Sequence, residues 1–234
     1  MYSEAFCKVY NEFGWNYYPE AFGDQLLVWL GRHHPGARTC LDLACGTGIL
    51  CEVLYDHGYD ASGMDFSEGM IAIARASRPE IRYDVADMIT YRPEKRFDLV
   101  TCTGDALNHI ADLANVERIF RNVYGYLREG GYFIFDLLNR REISTEEPFE
   151  LDYSETVRAR IQMLQPEYGR VNLQIQVFEN GELQFEEVIR ERVHEPADIC
   201  DLLRKCGFTV VQCDDRLLED AAYHGTTWFV VARK

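Results

Sequence analysis

No stretch of the 234 residues approaches the roughly 20 consecutive apolar positions that a bilayer-spanning helix needs. The amino end also lacks a basic-then-apolar leader pattern, so the expectation is a cytoplasmic protein that works without a membrane. Basic residues are scarce: 24 Lys and Arg stand against 39 Asp and Glu, giving a formal net charge of −15. A phosphate backbone would meet a repulsive average field, which argues against nucleic acid as a partner. C-x-x-C pairs, Cys/His clusters at zinc spacing, internal repeats and low-complexity tracts are all missing. Cys7, Cys40, Cys45, Cys51, Cys102, Cys200, Cys206 and Cys213 therefore read as reduced, mostly buried thiols, and no metal site is expected. The adjacent His33 and His34 precede Pro35-Gly36 and read as a solvated helix end.

What is present begins with residues 38–48, Arg-Thr-Cys-Leu-Asp-Leu-Ala-Cys-Gly-Thr-Gly. An apolar, strand-like run ends in small residues and two glycines, and a helical pattern follows from Ile49. Glycine permits positive φ and lets a ligand approach the backbone. With the unpaired N–H groups of a helix amino end, such a turn makes a cradle for a small molecule. Further strands are expected at 59–64, 81–86, 97–102 and 131–138, with helices at 48–57, 67–77 and 112–128. This alternation implies an α/β fold with a mostly parallel sheet, covered by helices on both faces. Ligands then sit at the carboxyl ends of the strands.

Polar residues gather at those ends. Asp65 follows the second strand, Asp87-Met88 the third, and Thr103-Gly104-Asp105-Ala106-Leu107-Asn108-His109 the fourth. Asp is common at helix caps, but Ser67 is the better cap and leaves Asp65 for a ligand. A carboxylate there can accept both hydroxyl protons of a ribose. Asp87 and Met88 offer a polar group and a flat, polarisable contact suited to an adenine ring. Cys51 stands where a dinucleotide-binding G-x-G-x-x-G would place its third glycine, which weakens that alternative.

Leu41-Asp42-Leu43-Ala44-Cys45-Gly46-Thr47-Gly48 resembles the first motif of class I S-adenosylmethionine-dependent methyltransferases. The agreement continues in order through Asp65, Asp87-Met88, Phe97-Asp98-Leu99-Val100 and Leu127 to Asp136, with Ala44 where the family has glycine. The resemblance implies S-adenosylmethionine as cofactor and S-adenosylhomocysteine as product. It places Asp42, Ala44, Cys45 and Gly46 beside the methionine portion, Asp65 on the ribose, Phe66 and Met70 near the adenine, and Asp87 on its amino group with Met88 alongside. Thr103 would line the passage to the methyl group. Phe6-Cys7-Lys8-Val9-Tyr10-Asn11 resembles a family segment that closes over the cofactor, which adds Tyr10 and, from the aromatic stretch after it, the Tyr17/Tyr18 pair. Asn11 replaces that segment's acid.

Residues 1–34 carry helical spacing at Phe6, Val9, Tyr10 and Phe13, then at Phe22, Leu26, Leu27, Trp29 and Leu30. Between them, residues 14–19 form either a helical corner or an aromatic flap over a ligand. Residues 149–195 depart from the alternation: Val171, Leu173, Ile175 and Val177, then Leu183, Phe185, Ile189 and Val193, repeat with period two around an Asn180-Gly181 turn, interrupted by Glu187. A single strand is expected from Leu151 to Ile161. The inserted antiparallel sheet would roof the acceptor pocket or supply a dimer surface. A helix from Pro196 to Lys205 and strands at 208–213 and 226–233 complete the core. The resemblance orders the sheet 3-2-1-4-5-7-6 with the last strand antiparallel, a Rossmann-like fold. Its parts are a helical cap (1–34), a cofactor-binding core (35–148), the β insertion (149–195) and the completing segment (196–234).

The expected reaction is in-line displacement of a methyl group onto oxygen or nitrogen of a small molecule, by a monomer or homodimer. The alternatives are an RNA or protein methyltransferase and a nucleoside-binding module without turnover. His109 is the first candidate for a base and Asp105 could orient it or touch the acceptor; Tyr153, His194 and His224 are further candidates. Cys45 in the glycine turn is considered as a nucleophile.

Overall fold

The computed structural model describes residues 2–138, 147–218 and 227–234. Ser3 caps α1 (Glu4–Val9), its hydroxyl accepting from the Phe6 N–H, and α2 (Tyr17–His33) follows a turn. Strands and helices then alternate: β1 (Thr39–Leu43), α3 (Ile49–Asp56), β2 (Asp60–Asp65), α4 (Glu68–Ser77), β3 (Arg82–Val85) and β4 (Phe97–Cys102). A 3-10 turn (Ala106–His109), α5 (Leu113–Tyr126) and β5 (Leu127–Leu138) complete this half. The insertion holds β6 (Phe149–Asp152), β7 (Val157–Glu167), β8 (Arg170–Glu179) and β9 (Glu182–Arg192), followed by α6 (Pro196–Lys205), β10 (Thr209–Asp214) and β11 (Thr227–Arg233).

The main sheet runs β10-β11-β5-β4-β1-β2-β3, with β11 antiparallel to both neighbours, which is the expected order. Alternation along the strands divides the core. Leu41, Leu43, Phe133 and Phe135 face α5 and α6, whereas Cys40, Tyr132 and Ile134 face α2 and α3. Either side buries whole side chains such as Phe120 and Phe22, at roughly 1.5–3 kcal/mol each. Asp136 shares the parity of Tyr132 and Ile134, so its carboxylate emerges toward α2 at the strand's carboxyl end.

Two element expectations are corrected. β5 starts at Leu127 rather than 131: Gly130, at φ +75°, takes up an irregularity in the pairing with β4 that keeps the polar Arg128-Glu129-Gly130-Gly131 run within the strand. The single strand expected from Leu151 to Ile161 is two, β6 and β7, because the Ser154 hydroxyl accepts from the N–H groups of Thr156 and Val157 and turns the chain. The resulting sheet, β6-β7-β8-β9, packs Ala159, Ile161, Ile175, Val177 and Ile189 onto Phe6 and Cys7 of α1 and Met70 of α4. Thr226 and His224 lie outside the described residues.

Candidate active site

β1 is flanked by β2 on one side and β4 on the other, so the crossovers leave in opposite directions and open a crevice at the carboxyl ends. A cavity of about 520 Å³ occupies it. The glycine turn forms its floor. Ala44, Gly46 and Gly48 all have positive φ, and α3 starts directly after them. The two glycines are required for different reasons. A Cβ on Gly48 would lie 2.5 Å from the Tyr83 hydroxyl, whereas a Cβ on Gly46 would meet no atom within 4 Å and would stand in the cavity. Cys51, in the third-glycine position, turns its thiol toward Gly63 beside that of Cys45.

Asp65 tightens the turn. Its carboxylate accepts from the N–H of Gly46 at 2.9 Å and of Ser67 at 2.8 Å, while the Ser67 hydroxyl caps α4 at the Met70 N–H. Burial pushes its carboxyl upward against these hydrogen bonds. Ser67 is thus the cap, as expected, but Asp65 is engaged by backbone and has its remaining lone pairs for a ligand. Asp87 likewise accepts from the Ile89 N–H at 2.8 Å, with Met88 and Ile89 on the wall beside it.

The far wall is built by the loop after β4. Gly104 and Asp105 both take left-handed conformations, and Asp136 holds them, accepting from their N–H groups at 3.0 and 2.9 Å. The Tyr18 hydroxyl donates to the same carboxylate and ties α2 to this loop. Thr103, Asp105 and His109 line the cavity. Burial and the neighbouring carboxylates Asp136 and Glu191 hold the Asp105 carboxyl well above its usual range, and burial lowers His109, keeping its ring neutral.

Twelve of the residues singled out from the sequence meet at this cavity: Tyr10, Tyr18, Ala44, Cys45, Gly46, Asp65, Phe66, Asp87, Met88, Thr103, Asp105 and His109. Asp42 and Met70 do not. Asp42 lies beneath the turn, its carboxylate accepting from the Thr101 hydroxyl at 2.7 Å, and burial pushes it up to about 7. Met70 is fully buried under α1, against Phe6 and Cys7. The aromatic stretch acts as corner and flap together: Trp15, Tyr18 and Pro19 face the cavity, while Tyr17 is exposed. Asn11 accepts from the Thr47 hydroxyl at 2.8 Å, fastening the flap to the glycine turn.

Of the other candidates, Tyr153 stacks on Phe13 at 3.9 Å and His194 Nε2 bonds the Ile110 carbonyl, both off the wall. Burial raises the Cys45 thiol well above its ordinary value, which leaves it without nucleophilic character. His33 is exposed at the end of α2, as a solvated helix end, and stacks on Trp29, whereas the Nε2 of His34 is buried. Among the described residues no group of three or more His, Cys, Asp or Glu side chains is arranged to hold a metal ion.

Sequence reasoning missed Glu191. It enters the cavity from β9, its side chain 10% exposed and 3.9 Å from His109 Nε2. Burial, then the charge of Asp136, raises it to about 7. The signal was parity: Glu191 stands two positions after Ile189 and two before Val193, on the inward row that Glu187 also interrupts. Glu187 has a structural use, accepting from the Ser3 N–H at 3.0 Å.

A family model described as a methyltransferase domain matches residues 15–213. The chain belongs to the methyltransferase family. A Geobacillus sp. (strain WCH70) protein named as a methyltransferase is 33% identical over 134 residues, covering 56% of this chain and 53% of its own. The dTDP-3-amino-3,6-dideoxy-alpha-D-glucopyranose N,N-dimethyltransferase of Streptomyces fradiae is 29% identical over 134 residues, 57% of this chain and 52% of its own. This methyltransferase spans about half the length of these two relatives. Among solved structures, an S-adenosylmethionine-dependent methyltransferase from Clostridium acetobutylicum ATCC 824 superimposes with a TM-score of 0.79 at 25% identity, over 91% of this chain and 90% of that one. The methyltransferase is of the class I, S-adenosylmethionine-dependent kind, with the Rossmann-like sheet that the sequence implied. No helix among the described residues is long and apolar enough to cross a membrane.

Proposed function

We propose that this methyltransferase transfers the methyl group of S-adenosylmethionine to a nitrogen or oxygen of a small molecule held beneath β8 and β9, releasing S-adenosylhomocysteine. The observation that carries the reading is one continuous cavity, with Asp65 and Asp87 at one end and Asp105, His109 and Glu191 at the other. The residues present fit the cofactor. Gly46 leaves the floor clear of side-chain atoms, Asp65 has lone pairs left to accept from ribose hydroxyls, and Asp87 with Met88 and Phe66 suits an adenine ring. Ala44 and Cys45 would lie along the methionine portion, and Tyr10 and Tyr18 would close over it. When bound, S-adenosylmethionine supplies an electrophilic methyl carbon on a sulfonium.

The chain's own residues align the acceptor and exclude water. Leu173 and Ile189 cover the cavity from the inserted sheet, and Thr103 and Ile110 narrow it from the side. Neutral His109, on the wall, is able to take a proton from the acceptor. Among the described residues, no Lys or Arg lines the cavity, which supports a small acceptor over a polyphosphate chain such as RNA.

The test is calorimetric titration of S-adenosylmethionine and S-adenosylhomocysteine, with Asp65→Ala as control. Micromolar binding that the variant loses by about tenfold or more is the expected result. A folded protein that binds neither compound would overturn the reading.

A further inference from the structure

Four carboxylates, Asp65, Asp87, Asp105 and Glu191, stand on the cavity wall, and among the described residues no Lys or Arg stands with them. They are not equivalent. Asp65 and Asp87 are held by backbone N–H groups at the end assigned to the nucleoside. Neither the Asp105 nor the Glu191 carboxylate accepts a hydrogen bond from any described residue; His109 Nε2 lies 3.9 Å from the Glu191 carboxylate. Glu191 is nine-tenths buried, and its strand parity with Ile189 aims it inward. The Tyr2 ring stands edge-on to that of His109 at 6.1 Å, with Phe6 and Tyr10 packed on Tyr2 and all three rings on the cavity wall.

Two buried carboxyl groups with no Lys or Arg beside them among the described residues are costly to ionise, and a cationic ligand offsets that cost. Aromatic faces beside them favour the same charge. A hydroxyl in their place would satisfy one carboxylate and leave the other unpaired, and a carboxylate or phosphate would be repelled by both. Burial and the neighbouring carboxylates raise both acids, and a cation placed between them would act against that rise.

We infer that the methyl acceptor is an amine, bound as its ammonium between Glu191 of the inserted sheet and Asp105 of the loop after β4. The inference rests on the methyltransferase reading above and narrows its acceptor to nitrogen. Attack requires a free lone pair. An ammonium N–H bond breaks with its electron pair left on nitrogen, and the proton passes to His109 Nε2, where the Glu191 carboxylate stabilises the imidazolium. The nitrogen lone pair then forms the bond to the methyl carbon while the carbon–sulfur bond breaks, its electrons going to sulfur. The products are a methylated ammonium and a neutral thioether, and His109 returns its proton to solvent.

The experiment is calorimetry on protein saturated with S-adenosylhomocysteine, using three pairs of probes matched in shape: benzylamine and benzyl alcohol, cyclohexylamine and cyclohexanol, glucosamine and glucose. In at least one pair the amine is expected to bind about tenfold more tightly than the alcohol. Glu191→Gln and Asp105→Asn should each bring that ratio close to one, while affinity for S-adenosylhomocysteine stays within about threefold of the parent. Asn tolerates the left-handed conformation at position 105, so the second variant keeps the loop. Equal behaviour of amine and alcohol in all three pairs, whether both bind or neither does, overturns the inference. So does an amine preference that survives both substitutions. Failure of the parent to bind S-adenosylhomocysteine would instead sink the cofactor reading.

Discussion

At the scale of single residues, the cavity depends on what is missing as much as on what is there. Gly46 has positive φ and open space where a Cβ would be. Gly46→Ala should therefore fold, at a cost of about 1 kcal/mol in the left-handed region, and lose affinity for S-adenosylhomocysteine by far more than stability. Thermal denaturation and calorimetry on the same sample separate the two effects; equal affinity in the variant would show that the floor is not used. His109 is tested by substitution as well. His109→Ala should abolish turnover with affinity for S-adenosylhomocysteine intact, and near-normal turnover would remove it as a base. His109 and Asp105 were legible in the sequence because they follow a strand that the alternation locates. Glu191 was not, since an acid on an amphipathic strand reads as solvated until the partner surface is known. The resemblance set Met70 near the adenine; in the fold its side chain is buried on α4 against Phe6 and Cys7 of α1, away from the cavity wall.

At the scale of elements, Asp136 joins three segments that share no local sequence. It takes the N–H groups of the left-handed Gly104 and Asp105 and the hydroxyl of Tyr18, all while fully buried. An amide in its place keeps the shape but removes the charge and one acceptor. Asp136→Asn should cost about 2–3 kcal/mol, clearly more than Tyr18→Phe, in urea midpoints. A smaller loss for Asp136→Asn than for Tyr18→Phe would mean that the loop holds its geometry without it. The glycine turn and the Asn180-Gly181 hairpin announced themselves through residue types that backbone conformation demands. The break between β6 and β7 did not, because Ser154 makes that turn with a hydroxyl rather than with glycine or proline.

At the scale of the whole molecule, buried acids set the response to pH. Burial raises Asp42 and Glu191 to about 7 and holds Asp105 well above its usual range, so between about pH 4 and 7 the folded chain holds more protons at these groups than the unfolded one. Stability of the ligand-free protein should therefore fall as pH rises through that window and level off above it. Asp98 acts oppositely: backbone N–H groups of Arg38 and Thr39, with Arg128, lower it to about 2, and its contribution is lost only as pH falls toward that value. The melting temperature should be highest near pH 5 and lower at pH 8, and Glu191→Gln should recover part of the difference at pH 8 alone. A melting temperature that climbs from pH 5 to 8 would contradict this account.

The position of β11 bears on how the chain assembles in time. It is paired on both edges, Val230 beside Phe135 of β5 and beside Cys213 of β10, and the whole inserted sheet lies between β5 and β11 along the chain. The strands of that insertion are linked by short turns, so their pairing is local and fast, whereas β11 must find β5 across a long loop. The cover over the cavity is thus built from the quick part of the chain, and the sheet beneath it is closed by the slow part.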